Sequence, residues 1–332
     1  MNYLVTGGAG FIGSELIKLL VKNGCSVFSI DRHPNKNLDT LGNSVRQVIC
    51  DISDYSQLLA SCSDLPKIDG IFHLAALKSV TGSESERDLY QRVNVLGTEN
   101  VLKFMEDMKI TKLLFASSAA VYGNGNGSKL LSETNAVSPI NWYGTTKVLG
   151  ENLINKFIED HPDSYSCALR LFNVIGIGEG ENPDIKGENA ISIILNAISR
   201  GTRFKVFGNT HDTPDGSCMR DYISIKDTAE GFYRAMLYLE KHPKVRNETI
   251  NLCSGIGTSV LQLVAEFRAK SVREFDFEIC PSRPGEPGKS VGDPAKTSMI
   301  LDWMPSTEVS ESIHDIMSVF NPISVSQNYS DQ

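Results

Sequence analysis

No apolar stretch in these 332 residues approaches the roughly 18–20 consecutive residues that a membrane-spanning helix requires. There is no C-x-x-C pair, and none of the six histidines falls in H-x-x-x-H or H-E-x-x-H spacing, so no metal site is expected. Basic residues form no run longer than two, and the formal net charge of −8 disfavours non-specific nucleic-acid binding. Internal repeats and low-complexity segments are also missing. The opening "MNYLVTGGAGFIG" starts a strand within two residues of Met1, which leaves no place for a secretory leader. The chain does have apolar residues for a core, at 41% of the total, with 22% charged, the balance of an ordinary soluble globular protein. Its seven cysteines (Cys25, Cys50, Cys62, Cys167, Cys218, Cys253, Cys280) are odd in number and widely spread. They read as reduced thiols of a cytoplasmic protein.

Short β-rich runs alternate with helical patterns through the first half. The strands are "NYLVT", "CSVFSID", "VRQVICD", "DGIFHLAA", "KLLFASS" and "SCALRLFNV". Between them "SELIKLLVKNG", "ERDLYQRVNVLGTENVLKFMEDMK" and "WYGTTKVLGENLINKFIED" carry helical periodicity. Near-continuous apolar strands separated by helices predict a Rossmann-like α/β fold with a doubly wound parallel sheet. After about residue 175 the pattern changes. "GIGEGENPDIKGEN" is a loop, "AISIILNAISRG" a helix, and "FKVFGNTHDTPDGSCMRDYISI" holds strands around a turn-rich excursion. "DTAEGFYRAMLYLEKH" is a helix with an Asp cap, "ETINLCSG" a candidate seventh strand, and "TSVLQLVAEFRAK" a further helix. We divide the chain into a nucleotide-binding domain over residues 1–175, to which 222–253 returns, a smaller α/β domain over 176–322, and a polar, disordered tail over 323–332.

"VTGGAGFIGS" follows the first strand and opens the first helix. Gly8, Gly10 and Gly13 satisfy G-x-G-x-x-G, and Gly7 adds the alternative G-x-x-G-x-x-G. Glycines there let backbone amides approach a pyrophosphate at a helix N-terminus. The second strand ends in Asp31, eighteen residues after Gly13, where a carboxylate would accept the ribose hydroxyls of NAD and repel a 2′-phosphate. Arg32 beside it pulls the other way. Asp51 and Ile52 follow the third strand, where an adenine edge could be read, although a helix-capping Asp and a core Ile explain the pair nearly as well.

"FASSAAVYG" ends the fifth strand with Ser117 and Ser118, whose hydroxyls we expect to point toward the cofactor crevice. Tyr143 and Lys147 lie one helical turn apart on the next helix. A phenol whose ordinary pKa is about 10 becomes a workable base when an ammonium and a positively charged nicotinamide stand beside it. Ser118 would orient a substrate hydroxyl and share its proton.

These motifs, with "FHLAALKSV", "NVLGT", "YGTTK" and "RLFNVIG", resemble the extended short-chain dehydrogenase/reductases. The second half, in "VFGNTHDTPDGSCMRDYISI", "NLCSGIGTSVLQLV" and "SRPGEPGKSVGDPAK", resembles the UDP-hexose 4-epimerases among them, and the likeness runs from residue 2 to about residue 318. The resemblance implies that Gly7, Gly10, Phe11, Ile12, Gly13, Asp31, Asp51, Ile52, Leu74, Ala75, Lys78, Asn94, Tyr143 and Lys147 hold NAD. It implies that Ser118, Tyr143 and Lys147 act at the sugar 4-hydroxyl. Lys78, Asn173, Asn189, Phe207, Arg220, Arg283 and Ser290 would meet the UDP-sugar, Phe207 near the uracil and the two arginines clamping the diphosphate. Without the resemblance, an ion pair of either arginine with Asp221 or Glu286 would be the plainer reading. The implied reaction interconverts UDP-glucose and UDP-galactose through a 4-keto sugar that turns over about its diphosphate link, with NAD retained. The family also implies a homodimer through the helices bearing Asn94 and Tyr143.

Three positions depart from the pattern. Arg32 stands where Asn is frequent. The loop before Asn189 is short, which loosens its alignment. Ser290 aligns with a position that often carries Tyr, and the room it leaves extends the expected substrates to UDP-GlcNAc and UDP-GalNAc. The rivals are a 4,6-dehydratase, a decarboxylase or C5 epimerase of the superfamily, and a non-catalytic NAD-sensing protein. A dehydratase would carry an acid pair where Ala119 and Ala120 stand, and a sensor need not keep Ser118, Tyr143 and Lys147.

Overall fold

The computed structural model describes residues 1–125, 129–181, 183–185, 187–243, 245–283 and 286–320, so the tail expected over 323–332 lies outside the described residues. The first half runs β1 (Asn2–Thr6), α1 (Phe11–Lys22), β2 (Ser26–Asp31), β3 (Val45–Ile49), α2 (Tyr55–Ser61), β4 (Gly70–His73), α3 (Val80–Ser85), α4 (Arg87–Tyr90), α5 (Gly97–Asp107), β5 (Lys112–Ser118), α6 (Trp142–Asp160) and β6 (Tyr165–Leu171). The second half adds β7 (Asn173–Ile175), α7 (Ala190–Arg200), β8 (Phe204–Phe207), β9 (Met219–Ser224), α8 (Ile225–Lys241), β10 (Asn247–Leu252), β11 (Gly257–Ser259), α9 (Val260–Lys270), β12 (Phe277–Cys280), β13 (Lys289–Ser290), α10 (Ala295–Leu301) and α11 (Val309–Val319).

Seven parallel strands form the main sheet in the order β10-β6-β5-β4-β1-β2-β3. Both faces are covered, which is why each strand reads as an unbroken apolar run. Along β1, Tyr3 and Val5 enter the core beneath α1 and α8, while Leu4 enters the opposite core with Phe104, Met105, Ile154 and Ile158 of α5 and α6. The strand order reverses between β1 and β4, and a crevice opens there at the carboxyl ends of the strands. Through α8 and β10 the chain returns from the second half to this sheet. The second lobe has its own core, in which Ile194, Leu195 and Ile198 of α7 meet Val206, Tyr222, Phe267 and Ile313.

The structure corrects three local readings. The long helix expected from residue 86 to 109 is interrupted by a π-helical stretch over Gln91–Leu96, a widened turn that re-aims the side chains it carries. The single strand expected in "SCALRLFNV" breaks at Phe172; β6 stays in the main sheet and β7 pairs with β9 in the second lobe. Helix α8 is capped by Ser224, whose hydroxyl accepts the Asp227 N–H, so the expected Asp sits inside the first turn.

Candidate functional site

The glycine loop is fixed by close packing. Gly7 adopts φ +73° and donates its N–H to Ile30 O at 2.8 Å. A Cβ on Gly7 would lie 2.6 Å from Ala75 N, and one on Gly13 would lie 2.2 Å from Gly7 O, so strand end and helix start leave no side-chain volume between them. Gly10 caps α1 with no side-chain hydrogen bond, which keeps the first amides of the helix, beside Phe11 and Ile12, unblocked by any capping side chain. Asp31 closes the loop from the side: its carboxylate accepts the N–H of Ala9 at 3.2 Å and of His33 at 3.3 Å. A side-chain-free cradle at a helix N-terminus with a carboxylate at the next strand end fits a dinucleotide.

Asp51 accepts the Ser53 N–H at 2.9 Å, while Asp54 caps α2, so the capping alternative for Asp51 does not hold. Burial raises the Asp51 pKa, but the Ser53 hydrogen bonds and the charges of Arg32 and Arg92 outweigh it and leave it lowered. Arg32 therefore acts on an acid, Asp51. Ile52 is buried against Gly97, and its carbonyl accepts the Asn100 side chain at 2.9 Å. Its side chain is core, which leaves only its main chain for any ligand.

Leu74 and Ala75 leave β4 against the loop: Leu74 N–H donates to Thr6 O and Ala75 N–H to Thr6 Oγ1. Asn94, 3% exposed, holds the next segment, accepting the Leu77 N–H at 2.8 Å and donating to Leu77 O and Thr146 Oγ1, each at 3.0 Å. Its role here is to set the loop that presents exposed Lys78. Beneath that loop, His73 bridges Thr6 Oγ1 and Thr98 Oγ1 at 2.7 and 3.0 Å. Burial, with the charge of Lys147, lowers its pKa to about 3, so it stays neutral.

The two strand-end serines part company. Ser118 caps the turn that follows, accepting the Ala120 N–H at 3.2 Å, and its hydroxyl acts on the Tyr143 phenol, favouring the charged form. Ser117 is buried and donates to Glu151 Oε1 at 2.5 Å, so the expectation that both hydroxyls face the crevice is wrong. The reason is the pleat, which sends successive side chains to opposite faces. Tyr143 is half-buried; its N–H donates to Ser83 Oγ at 3.0 Å, which ties the start of α6 to α3. Lys147, 4% exposed, donates to Ala116 O at 2.8 Å and stands 5.8 Å from the Tyr143 ring centre. In the protein alone, burial raises the Tyr143 pKa and the Ser118 hydroxyl only partly offsets it. Burial lowers that of Lys147 to about 8, and Glu151 acts against the fall.

Across the crevice, Ser290 of β13 pairs in register with Arg220 of β9. Arg220 donates to Glu286 Oε1 at 3.0 Å, the ion pair that is the plainer reading of this arginine without the resemblance. The Arg283 guanidinium lies 3.8 Å over the Phe207 ring. Both arginine charges act on the Cys218 thiol, which burial nonetheless raises, so the two guanidinia converge on one region. Asn173 is exposed and donates to Asp221 O at 3.1 Å. Asn189 caps α7, accepting the Ser192 N–H at 3.0 Å, and neighbouring Glu188 accepts the Ser79 hydroxyl, which brings this loop beside Lys78. Sequence reasoning missed His73, Ser83 and the Glu151–Arg170 pair; only Glu151, four residues past Lys147 on one helix face, had a legible spacing.

Residues 3–253 match the model of the NAD dependent epimerase/dehydratase family. Over 329 residues the chain is 34% identical to the UDP-glucose 4-epimerase of Yersinia enterocolitica, covering 95% of this chain and 96% of the relative. Its structure is similar to that of a UDP-glucose-4-epimerase from Stenotrophomonas maltophila with bound NAD and formylated UDP-arabinopyranose, with a TM-score of 0.89, 30% identity and 99% of each chain covered. It is also similar to the UDP-Glc/GlcNAc 4-epimerase of Campylobacter jejuni, with a TM-score of 0.82, 27% identity, and 95% and 97% of the two chains covered.

Proposed function

This chain belongs to the NAD dependent epimerase/dehydratase family, and from that premise we propose how its residues make it an NAD-dependent UDP-hexose 4-epimerase that interconverts UDP-glucose and UDP-galactose. The observation that carries the assignment of roles is the placing of Tyr143 and Lys147 one turn apart on α6, the Lys147 Nζ 5.8 Å from the phenol ring centre and 2.8 Å from Ala116 O near the carboxyl end of β5, which Ser118 closes. Tyr143 takes the proton of the sugar 4-hydroxyl, and Ser118 orients that hydroxyl. NAD, when held by this site, would supply the reversible acceptor for the hydride that leaves C4, and its positive ring would favour the Tyr143 phenolate against burial. Lys147 holds the phenolate and the ribose hydroxyls. Arg220, released from Glu286, and Arg283 grip the diphosphate, so that the 4-keto sugar turns while its nucleotide stays anchored. Asp31 favours NAD over NADP.

The two halves, 1–175 with 222–253 and 176–322, divide the work between NAD and the UDP-sugar. Lys78, Asn173, Asn189 and Phe207 line the substrate side. UDP-GlcNAc and UDP-GalNAc form a second substrate pair, because Ser290, in register with Arg220, is a small side chain where a tyrosine would fill the volume that an N-acetyl group needs. The protein works as a homodimer through the helices carrying Asn94 and Tyr143, where exposed Leu96 and half-buried Leu149 await cover. Among the described residues no helix is long and apolar enough to cross a membrane. The seven unpaired thiols favour a reducing compartment, the cytoplasm. Purified protein should convert UDP-galactose to UDP-glucose without added oxidant. Tyr143→Phe should lose about 10²-fold or more in kcat while still binding UDP; full activity in that variant would refute the assigned base.

A further inference from the structure

Below the Tyr143–Lys147 face, α6 carries a second charged element that the reaction as described leaves unused. Glu151 is 7% exposed and lies one turn beyond Lys147. Its Oε1 accepts from Ser117 Oγ at 2.5 Å and from Arg170 Nε at 3.0 Å, and its Oε2 accepts from Arg170 Nη2 at 2.7 Å. Arg170 passes the contact on to the Tyr122 hydroxyl at 3.1 Å, which donates to Asn251 Oδ1 at 2.6 Å. One carboxylate thus serves two buried cations. Arg170 takes it by a two-pronged bond. Lys147 donates to Ala116 O and not to this carboxylate, but feels it through a low-dielectric interior.

We propose that Glu151 is a positioning residue for the epimerisation: it keeps Lys147 protonated, and through Ser117 it holds the strand end from which Ser118 meets Tyr143. The proposal rests on the assignment of Lys147 and Tyr143 made above. Among the described residues, the other groups near this part of α6 supply no negative charge. From β4, His73 is neutral. From β5 come the Ala116 carbonyl and the Phe115 ring, 5.0 Å from Nζ. On α6 itself, Tyr143 is a protonated phenol in the protein alone. From β6 and the turn after β5 come the Arg170 cation and the Tyr122 hydroxyl, which burial keeps protonated. Burial drives Lys147 down to about 8, and Glu151 is the charge that opposes it. An ammonium that lost its proton would no longer stabilise the Tyr143 phenolate, so the carboxylate sets the alkaline limit of the active form.

The test reads Lys147 directly. Isotope-edited NMR of the lysine ε-carbons in the substrate-free protein, with Lys147 assigned through Lys147→Arg, gives its titration midpoint. Glu151→Gln should lower that midpoint by about one pH unit, the effect of losing one nearby opposite charge. The alkaline limb of kcat for UDP-galactose should move by the same amount, and Glu151→Asp should restore both. Arg170→Gln, which leaves the carboxylate to Lys147 alone, should raise the midpoint, and it stands as the test where Glu151→Gln does not fold. An unchanged midpoint in folded Glu151→Gln, a fall or no change in Arg170→Gln, or a uniform loss of kcat with the limb unmoved, would overturn the proposal. If the midpoints move as expected in a protein that shows no epimerase activity, the electrostatic role stands and the assigned reaction falls.

Discussion

Adding one methyl group at Gly13 tests whether the glycine loop is both a packing device and a cofactor cradle. Gly13 lies inside α1, where alanine would ordinarily be favoured by up to about 1 kcal/mol. Here the new Cβ would stand 2.2 Å from Gly7 O and 2.8 Å from Gly8 Cα, both main-chain atoms that no rotamer change can move aside. The contact with Gly7 O has to open by about 0.8 Å to reach even 3.0 Å, so the loop and the helix must separate. Overpacking of this kind costs about 1–3 kcal/mol, and the helix-propensity gain offsets part of it. The net loss of about 0–2 kcal/mol lowers Tm by only a few degrees, at about 2–4 °C per kcal/mol for domains of 150–250 residues. NAD binding should suffer more. In the proposed cradle, displacing two amides aimed at the pyrophosphate, each bond worth about 1.5–3 kcal/mol, weakens binding by about 10²-fold or more. Calorimetric melting of NAD-free protein and titration with NAD separate the two effects. Gly10→Ala is the companion variant: its Cβ meets only Gly7 O, at 3.2 Å, so the fold should absorb it while NAD binding falls. If both alanine variants bind NAD as the parent does, the loop is not the pyrophosphate cradle.

The two strand-end serines should give opposite phenotypes: Ser118→Ala lowers kcat with little change in Tm, while Ser117→Ala costs about 1–3 kcal/mol by leaving Glu151 short of a buried partner, measured by denaturant melts beside steady-state kinetics. Ser290→Tyr should abolish turnover of UDP-GlcNAc while sparing UDP-glucose, read from the two kcat/KM values; an unchanged preference would remove Ser290 from the choice of sugar. Activity should decline as pH rises past about 8, where Lys147 loses its proton. Its contribution to stability runs the other way: between about 8 and its ordinary value of 10.5 the unfolded chain holds the proton that the folded one has released, so this group's term rises with pH. Opposed pH trends in kcat and in Tm, the second trend lost in Lys147→Met, are the expected result.

What could be read from the sequence were the features set by local chemistry. Unbroken apolar runs signalled strands covered on both faces, and the helix expected over "WYGTTKVLGENLINKFIED" has the observed bounds Trp142–Asp160 because Asn141 caps it and apolar spacing carries it through. Gly7, Gly13 and Asp31 were legible because a turn that excludes side chains leaves few residue choices. Tyr143 and Lys147 were legible because helical spacing places them on one face. Tertiary structure alone decided matters that depend on partners far along the chain. Which of Ser117 and Ser118 faces the crevice follows from which layer covers each side of β5. Ile52 became core because α5 approaches it at Gly97, forty-five residues later, and Asn94 turned to Leu77 because the helix widens to a π turn there. The pairings Arg220–Glu286 and Arg170–Glu151 join segments that no periodicity connects. A periodic pattern records which side of an element is apolar; the group that will neutralise a buried charge appears only once the elements are packed together.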